Sequence, residues 1–279
     1  MFPSKQKHQP SLAEKCGYIL LLLAAILFIV GPYLAILPLS LFLLLCFTAP
    51  FLPNFSFFLP IISKAKKGES GIAITFDDGP DPSSTPVVLD LLARYDLQAT
   101  FFVVGTRAAR YPELVQSILE HGHTIGNHSW DHDYYLMFRS IGRLRRNIQK
   151  TQEILRQLGV ETRVFRPPMG ITGSRLGIVL RMEGLTAVNY SCRALDRGNR
   201  NIDNLAAKIL GKLQAGDIIM LHDLPLATPE QSIYWQNELN LLFAQLQRSY
   251  NTISLDNILG HAVMIRLNKK SPHQRGISY

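Results

Sequence analysis

Two adjacent acids, Asp77 and Asp78, close the apolar run Ile72-Ala73-Ile74-Thr75-Phe76 and are followed at once by Gly79-Pro80. The run reads as a buried strand and the Gly-Pro as its stop. Successive side chains on a strand point to opposite faces, so neighbouring acids at its carboxyl end diverge while sharing one opening. That geometry suits one metal ligand beside one base. By itself an Asp-Asp-Gly turn describes a solvated Asx turn equally well. Further along, His128-Ser129-Trp130-Asp131-His132 sets two imidazoles four residues apart, on one face if the segment takes a helical turn. Alone, that spacing also describes two surface histidines. With a carboxylate delivered from another strand end it becomes a two-histidine, one-carboxylate set, which holds zinc or a similar divalent ion and leaves positions open for water and substrate. The expected ligands are Asp78, His128 and His132.

An open metal site polarises a carbonyl oxygen and acidifies its water, so the chemistry to expect is attack of water on an acyl carbon. Asp77 is then the base. His222, closing the apolar run Ile218-Ile219-Met220-Leu221, is the acid for the leaving group, with a packed core histidine as its structural alternative. Arg166, stiffened by Pro167 and Pro168, is placed to pair with Asp77 and keep it ionised and aimed, with an ordinary surface arginine as the alternative.

These residues need a frame that gathers strand ends. Apolar runs at 72–76, 100–104, 123–126, 163–165, 186–190, 217–221 and 252–254 read as seven strands. Helical patterns at 84–95, 112–120, 141–158, 174–182, 204–213 and 229–248 separate them. Alternation of this kind is α/β with a parallel sheet, most simply a barrel. Asp77-Asp78, Asn127-His128, Arg166, Asp196 and His222-Asp223 all fall at carboxyl ends of strands, the face on which such barrels build their sites.

The rest of the composition concerns location. Among 279 residues with a net charge of +8, the stretch 16–63 contains no Lys, Arg, Asp or Glu. It is too long for a secretory leader and has no clean small-residue cleavage site. It reads as a retained transmembrane anchor of one or two helices, broken near Gly31-Pro32. Residues 1–15 form a polar basic N-terminus, 64–260 the catalytic domain and 261–279 a basic tail. Lysines at 5, 7 and 15 before the anchor and at 64, 66 and 67 after it favour a hairpin with both ends cytoplasmic. A single tilted pass would instead put the domain outside. The modest positive charge fits a bilayer surface or an anionic glycan, and no basic stripe with interleaved aromatics points to nucleic acid. Three cysteines, two of them in the apolar stretch, supply neither a disulfide framework nor a cysteine zinc site.

In order along the chain, Thr75-Phe76-Asp77-Asp78-Gly79-Pro80, His128-Ser129-Trp130-Asp131-His132, Arg166-Pro167-Pro168 and Leu221-His222-Asp223 resemble the motif set of the polysaccharide deacetylases, the NodB-homology carbohydrate esterases. The resemblance covers about residues 70–255. It implies a distorted (β/α)7 barrel, removal of the N-acetyl group from N-acetylglucosamine units, and a divalent metal, zinc first with cobalt or nickel as alternatives. It also implies the same base, ligands and acid as above. In the family an aromatic follows the prolines and its backbone N–H helps bind the oxyanion; here Pro168 is followed by Met169, and a backbone donor does not need a particular side chain. Relatives often carry Asp-x-x-Asp-Trp where this chain has Arg193-Ala194-Leu195-Asp196-Arg197. Only Asp196 is kept, to orient or tune His222. Arg193 and Arg197 suit an anionic substrate, and Trp130, Tyr134 and Tyr135 a sugar face, with solvated charges and packing aromatics as their alternatives. The substrate expected is an acetylated amino-sugar glycan. A lipid-linked sugar phosphate, deacylated or deformylated at the bilayer, is the second reading, and a noncatalytic glycan-binding barrel the third.

Overall fold

The computed structural model describes residues 10–267. Its centre is β2 (Ala73–Asp77), whose five side chains are all buried. A strand covered on both faces cannot alternate polar and apolar residues, and its one polar interior residue, Thr75, donates through Oγ1 to Ile219 O at 2.6 Å. Around it, in chain order, lie β1 (Ile61–Ile62), β3 (Ala99–Val103), β4 (Thr124–Asn127), β5 (Val160–Thr162), β6 (Val164–Phe165), β7 (Thr186–Val188), β8 (Cys192–Arg193), β9 (Ile218–His222) and β10 (Met264–Arg266). Eight of these strands form one parallel sheet among the described residues, in the order β1-β7-β6-β4-β3-β2-β9-β8, while β5 and β10 pair antiparallel beside it. The sheet curls into a distorted, open (β/α) barrel.

The seven-strand expectation needs two changes. The 252–254 run contributes a single parallel bridge, Ile72 to Thr252, rather than a strand. In its place β1 and β8, two residues each, form the sheet edges; the sheet thus begins inside the stretch assigned to the anchor. The basic tail also starts later than expected, since its first residues supply β10; residues 268–279 lie outside the described residues, as do 1–9. Register does the rest. On adjacent strands Asp77 is level with Phe102 and with His222, and Asn127 is level with Val103 and Phe165, so these strand ends meet at one mouth.

Helices α3 (Thr85–Arg94), α4 (Gly105–Arg110), α5 (Pro112–Glu120), α6 (Ile141–Gln157), α7 (Ser174–Glu183), α8 (Leu205–Leu210), α9 (Pro229–Ser249) and α10 (Leu255–Leu259) surround the sheet, after two N-terminal helices, α1 (Leu12–Val30) and α2 (Ile36–Thr48). Their ends follow local chemistry: Ser140 and Thr228 cap α6 and α9, Pro229 occupies the first turn of α9, and Gly184 ends α7 in the left-handed conformation. α1 and α2 fold back on one another. Phe42 fills the gap beside Gly17, where an added Cβ would stand 3.1 Å from the ring, and Ala13 N donates to Phe57 O at 2.9 Å. Leu12–Val30 and Pro32–Phe51 are each long and apolar enough to cross a bilayer, and most of their large side chains face outward. The segment after α2 returns to the barrel, where Thr172 N donates to Pro50 O at 3.0 Å and Asn189 Nδ2 to Pro53 O at 2.8 Å.

One close packing holds the mouth in shape. Phe102 lies in the space left by Gly126 on β4, where a Cβ would be 2.5 Å from its ring, and the Arg166 guanidinium sits 4.0 Å above the centre of that ring. Gly126→Ala is therefore expected to lower the stability of the barrel by about 1–3 kcal/mol. Equilibrium unfolding that matches the wild type would contradict this packing.

Candidate active site

Arg166 follows β6 and is completely buried. A guanidinium in that position is costly unless its donors are answered, and four of its five N–H groups are. Nη1 donates to Asp77 Oδ1 and to Thr75 Oγ1, both at 2.7 Å; Nη2 donates to Asn189 O at 3.0 Å and Nε to Val188 O at 3.3 Å. Asp77 is thereby fixed through one oxygen, while its Oδ2 has no protein partner among the described residues. The same residue positions a histidine through its backbone, because His128 Nδ1–H donates to Arg166 O at 2.8 Å. That bond sets the tautomer, leaving the Nε2 lone pair free as a ligand.

Asp78 sits at φ 76°, which turns its side chain out of the strand's alternation and toward the histidines. Its Oδ1 lies 3.3 Å from His128 Nε2 and 3.1 Å from His132 Nε2. The histidine segment is not the helical turn expected from its spacing. It is a loop with Ser129 at φ 74° and His132 at φ 52°. The loop is tied down by polar groups: Ser129 N donates to Asn127 Oδ1 at 2.9 Å, Trp130 N to Asn147 Oδ1 at 2.7 Å, and His132 N to Ser129 Oγ at 3.1 Å. Asn147 on α6 carries no sequence signal for this role, because it comes from a helix otherwise read as amphipathic packing.

A metal fits this trio. One donor atom from each of Asp78, His128 and His132 lies within 4.8 Å of the others, and Asp78 Oδ1 is buried without a hydrogen-bond donor. Three Lewis bases facing one another with an orphaned carboxylate oxygen are what a cation resolves. Burial works to raise the Asp78 pKa, but the close imidazole of His128, with those of His132 and His222, holds it well below the usual carboxylate range.

His222 ends β9 beside Asp77, and its Nδ1 donates to Asp196 Oδ2 at 2.8 Å. Burial works against its charged form, yet Asp196, with Asp78 and Asp77 beyond it, lifts its pKa to about 9. Asp223 faces the other way. It accepts from Ser84 Oγ and Thr85 Oγ1, both at 2.6 Å, and burial lifts its pKa to about 6. Gly79 makes that possible, since a Cβ there would stand 2.2 Å from Asp223 Oδ2.

Asp77, Asp78, His128, His132, Asp196 and His222 share a cavity of about 860 Å³ with Tyr134, Met169 and Arg193. Met169 stands at φ 60° in a turn whose hydrogen bonds run from Gly170 to Pro167 and from Ile171 to Pro168, leaving its own N–H out of them. Two residues assigned to the substrate are elsewhere. Pro168 is buried behind the turn, and Trp130 packs over Gly105, with Lys150 Nζ 5.6 Å from its ring, outside the cavity lining. Of the aromatics expected to meet a sugar, Tyr134 reaches the cavity, edge-on to His132, and Tyr190 lines it as well.

A curled parallel sheet with acid, histidine and arginine motifs at its carboxyl edge defines a carbohydrate-esterase barrel of the NodB-homology type. Residues 64–188 match the family model described as polysaccharide deacetylase, and the chain belongs to that family. Asp196 and His222 lie beyond the matched stretch. The peptidoglycan-N-acetylglucosamine deacetylase PgdA of Listeria monocytogenes is 34% identical over 209 residues, which are 74% of this chain and 42% of PgdA. The chain thus spans less than half the length of that relative. A peptidoglycan-N-acetylglucosamine deacetylase of Bacillus cereus is 38% identical over 157 residues, 56% of this chain and 73% of its own. Among solved structures, the Bc1960 peptidoglycan N-acetylglucosamine deacetylase matches with a TM-score of 0.66 at 28% identity, covering 73% of this chain and 94% of that one.

The Asp196 contact carries its own test. In an NMR titration of metal-free protein the His222 ring is expected to stay protonated to about pH 9, and Asp196→Asn to bring its titration down toward the ordinary histidine range. An unchanged midpoint would remove Asp196 as the cause.

Proposed function

We propose that the chain hydrolyses the N-acetyl group of an N-acetylglucosamine-type sugar, with a divalent cation, zinc first, held by Asp78, His128 and His132. The observation carrying this reading is that Asp77 and His222 end neighbouring strands at the same level and share one cavity with that trio. The relatives, peptidoglycan-N-acetylglucosamine deacetylases, supply the amino-sugar substrate class.

When bound, the cation supplies Lewis acidity toward the acyl oxygen and a more acidic water. Asp77, anchored through Oδ1, uses its free Oδ2 to take the proton of the attacking water. The Met169 N–H is available to the negative charge developing on the acyl oxygen. His222, protonated at neutral pH, donates its Nε2 proton to the departing amine nitrogen, while Asp196 holds the ring in place through Nδ1. The α1–α2 hairpin anchors the barrel in a bilayer. Lysines on both flanks of the hairpin favour the cytoplasmic face for the barrel.

The expected behaviour is acetate release from N-acetylchitooligosaccharide or acetylated peptidoglycan, abolished by chelation and restored by zinc. Asp77→Asn, which keeps an acceptor for Arg166, should lose about a hundredfold or more in kcat while retaining its metal. A rate indifferent to chelation would sink the reading. For topology, a reporter fused after Tyr279 should be active only in the cytoplasm; activity on the far side would reverse the orientation.

A further inference from the structure

Beyond Asp196 the cavity wall changes character. Arg193, Arg197, Arg200, Lys208 and Lys212 all line it, whereas the carboxylates in the lining are Asp77, Asp78 and Asp196, each already engaged by Arg166, the two ligand histidines or His222. Among the described residues none of the five cations makes an ion pair. Like charges gathered around one concave surface repel each other, and a fold keeps such an arrangement where an anion relieves it. The group is also built rather than scattered. Arg193 Nη1 donates to Tyr190 Oη at 2.9 Å with its guanidinium 5.3 Å from that ring, and Lys212 Nζ donates to Arg193 O. The loop carrying Arg197 and Arg200 has four non-glycine residues at positive φ, namely Leu195, Arg197, Asn199 and Asn204. Asn199 Nδ2 pins that loop to the end of β9 through Leu224 O at 2.8 Å and His222 O at 3.3 Å. Strained backbone tied to the catalytic strand marks a segment positioned for a task.

We propose that this wall is a phosphate subsite and that the amino sugar processed here carries a phosphate or diphosphate ester. Planar guanidinium forks and mobile ammonium groups together match the non-bridging oxygens of such an ester. The assignment rests on the deacetylase reading of the cavity and narrows its substrate. The ester has two possible sources, a soluble sugar phosphate or a sugar carried on a lipid diphosphate. Gly170 lines the cavity, and a Cβ on it would stand 3.3 Å from Pro53, in the segment that leaves α2. Met169 and Leu195 expose apolar side chains at the same rim, 59% and 57% accessible. Headgroup chemistry beside the base of an apolar hairpin fits the lipid source.

The test uses the full-length, zinc-loaded protein in lipid nanodiscs. Calorimetry on Asp77→Asn should find N-acetylglucosamine 1-phosphate bound more tightly than N-acetylglucosamine by at least about tenfold, with the difference shrinking as salt rises. Arg197→Gln combined with Arg200→Gln, both on exposed side chains, should cut that preference by about tenfold or more. A phosphate held by the metal alone would be indifferent to that pair, so an unchanged preference overturns the subsite, as does equal binding of the two sugars. In turnover, kcat/KM for N-acetylglucosamine on a polyprenyl diphosphate is compared with that for the soluble 1-phosphate and for neutral chitotetraose. Preference for the first assigns the lipid source, preference for the second the soluble one, and preference for chitotetraose overturns the proposal. If no substrate releases acetate while the binding preference persists in wild type and falls in the double variant, the deacetylase reading fails and the anion subsite stands.

Discussion

One buried guanidinium organises the mouth of this barrel. Arg166 reaches across the interior from the end of β6, with its donors on the Thr75 and Asp77 side chains of β2 and on the backbone at Val188 and Asn189, and its face over Phe102 of β3. Removing such a charge from water costs several kcal/mol, which is offset only when its donors are answered and a counter-charge is close. Four of the five N–H groups are answered here and Asp77 is the counter-charge, with the partners drawn from two other parts of the sheet, β2 and the end of β7. The same residue accepts the Nδ1–H of His128 on its carbonyl, so Asp77 and His128 share one support. A shift of Arg166 would disturb Asp77 and His128 together.

Around that support, two carboxylates adjacent in sequence have been given different work by backbone alone. Asp77 keeps the strand conformation and meets Arg166. Asp78 turns to positive φ and meets the histidines. A second carboxylate–histidine pair, Asp196 with His222, is assembled from elements that are separate in sequence but adjacent in the sheet. Its effect is opposite in sign to that of burial, and it keeps a proton on the ring at neutral pH. Asp223, next in the chain, has no part in the cavity; its carboxylate holds the start of α3 through Ser84 and Thr85.

The apolar hairpin bears on the site as well as on location. Backbone carbonyls at Pro50 and Pro53 accept hydrogen bonds from Thr172 and Asn189, residues that flank the Pro168–Gly170 turn and the Arg166 backbone contacts. The barrel mouth is therefore partly assembled by the segment that follows α2, which couples the placement of the cavity to the placement of the hairpin.

Much of the site was legible before any fold was known, because the relevant signals are local. An apolar run ending in Asp77-Asp78-Gly79-Pro80 or in His222-Asp223 declares a strand end from neighbouring residues only, and the ordered motifs named the family. The uncharged stretch 16–63 likewise announced apolar helices without reference to packing. What only the tertiary structure decided depends on partners distant in sequence. Two-residue strands such as β1 and β8 have no period to detect, and they exist because a neighbouring strand supplies the hydrogen bonds. The loop form of 128–132 is set by Asn127 and by Asn147 from α6, overriding a spacing that suggested a helical turn. Trp130 went to the α4 side because Gly105 left room for its ring. Residue types and spacing thus announced which groups gather at the strand ends, whereas long-range hydrogen bonds and packing chose the direction each one faces, since a side chain's orientation is settled by the atoms it meets.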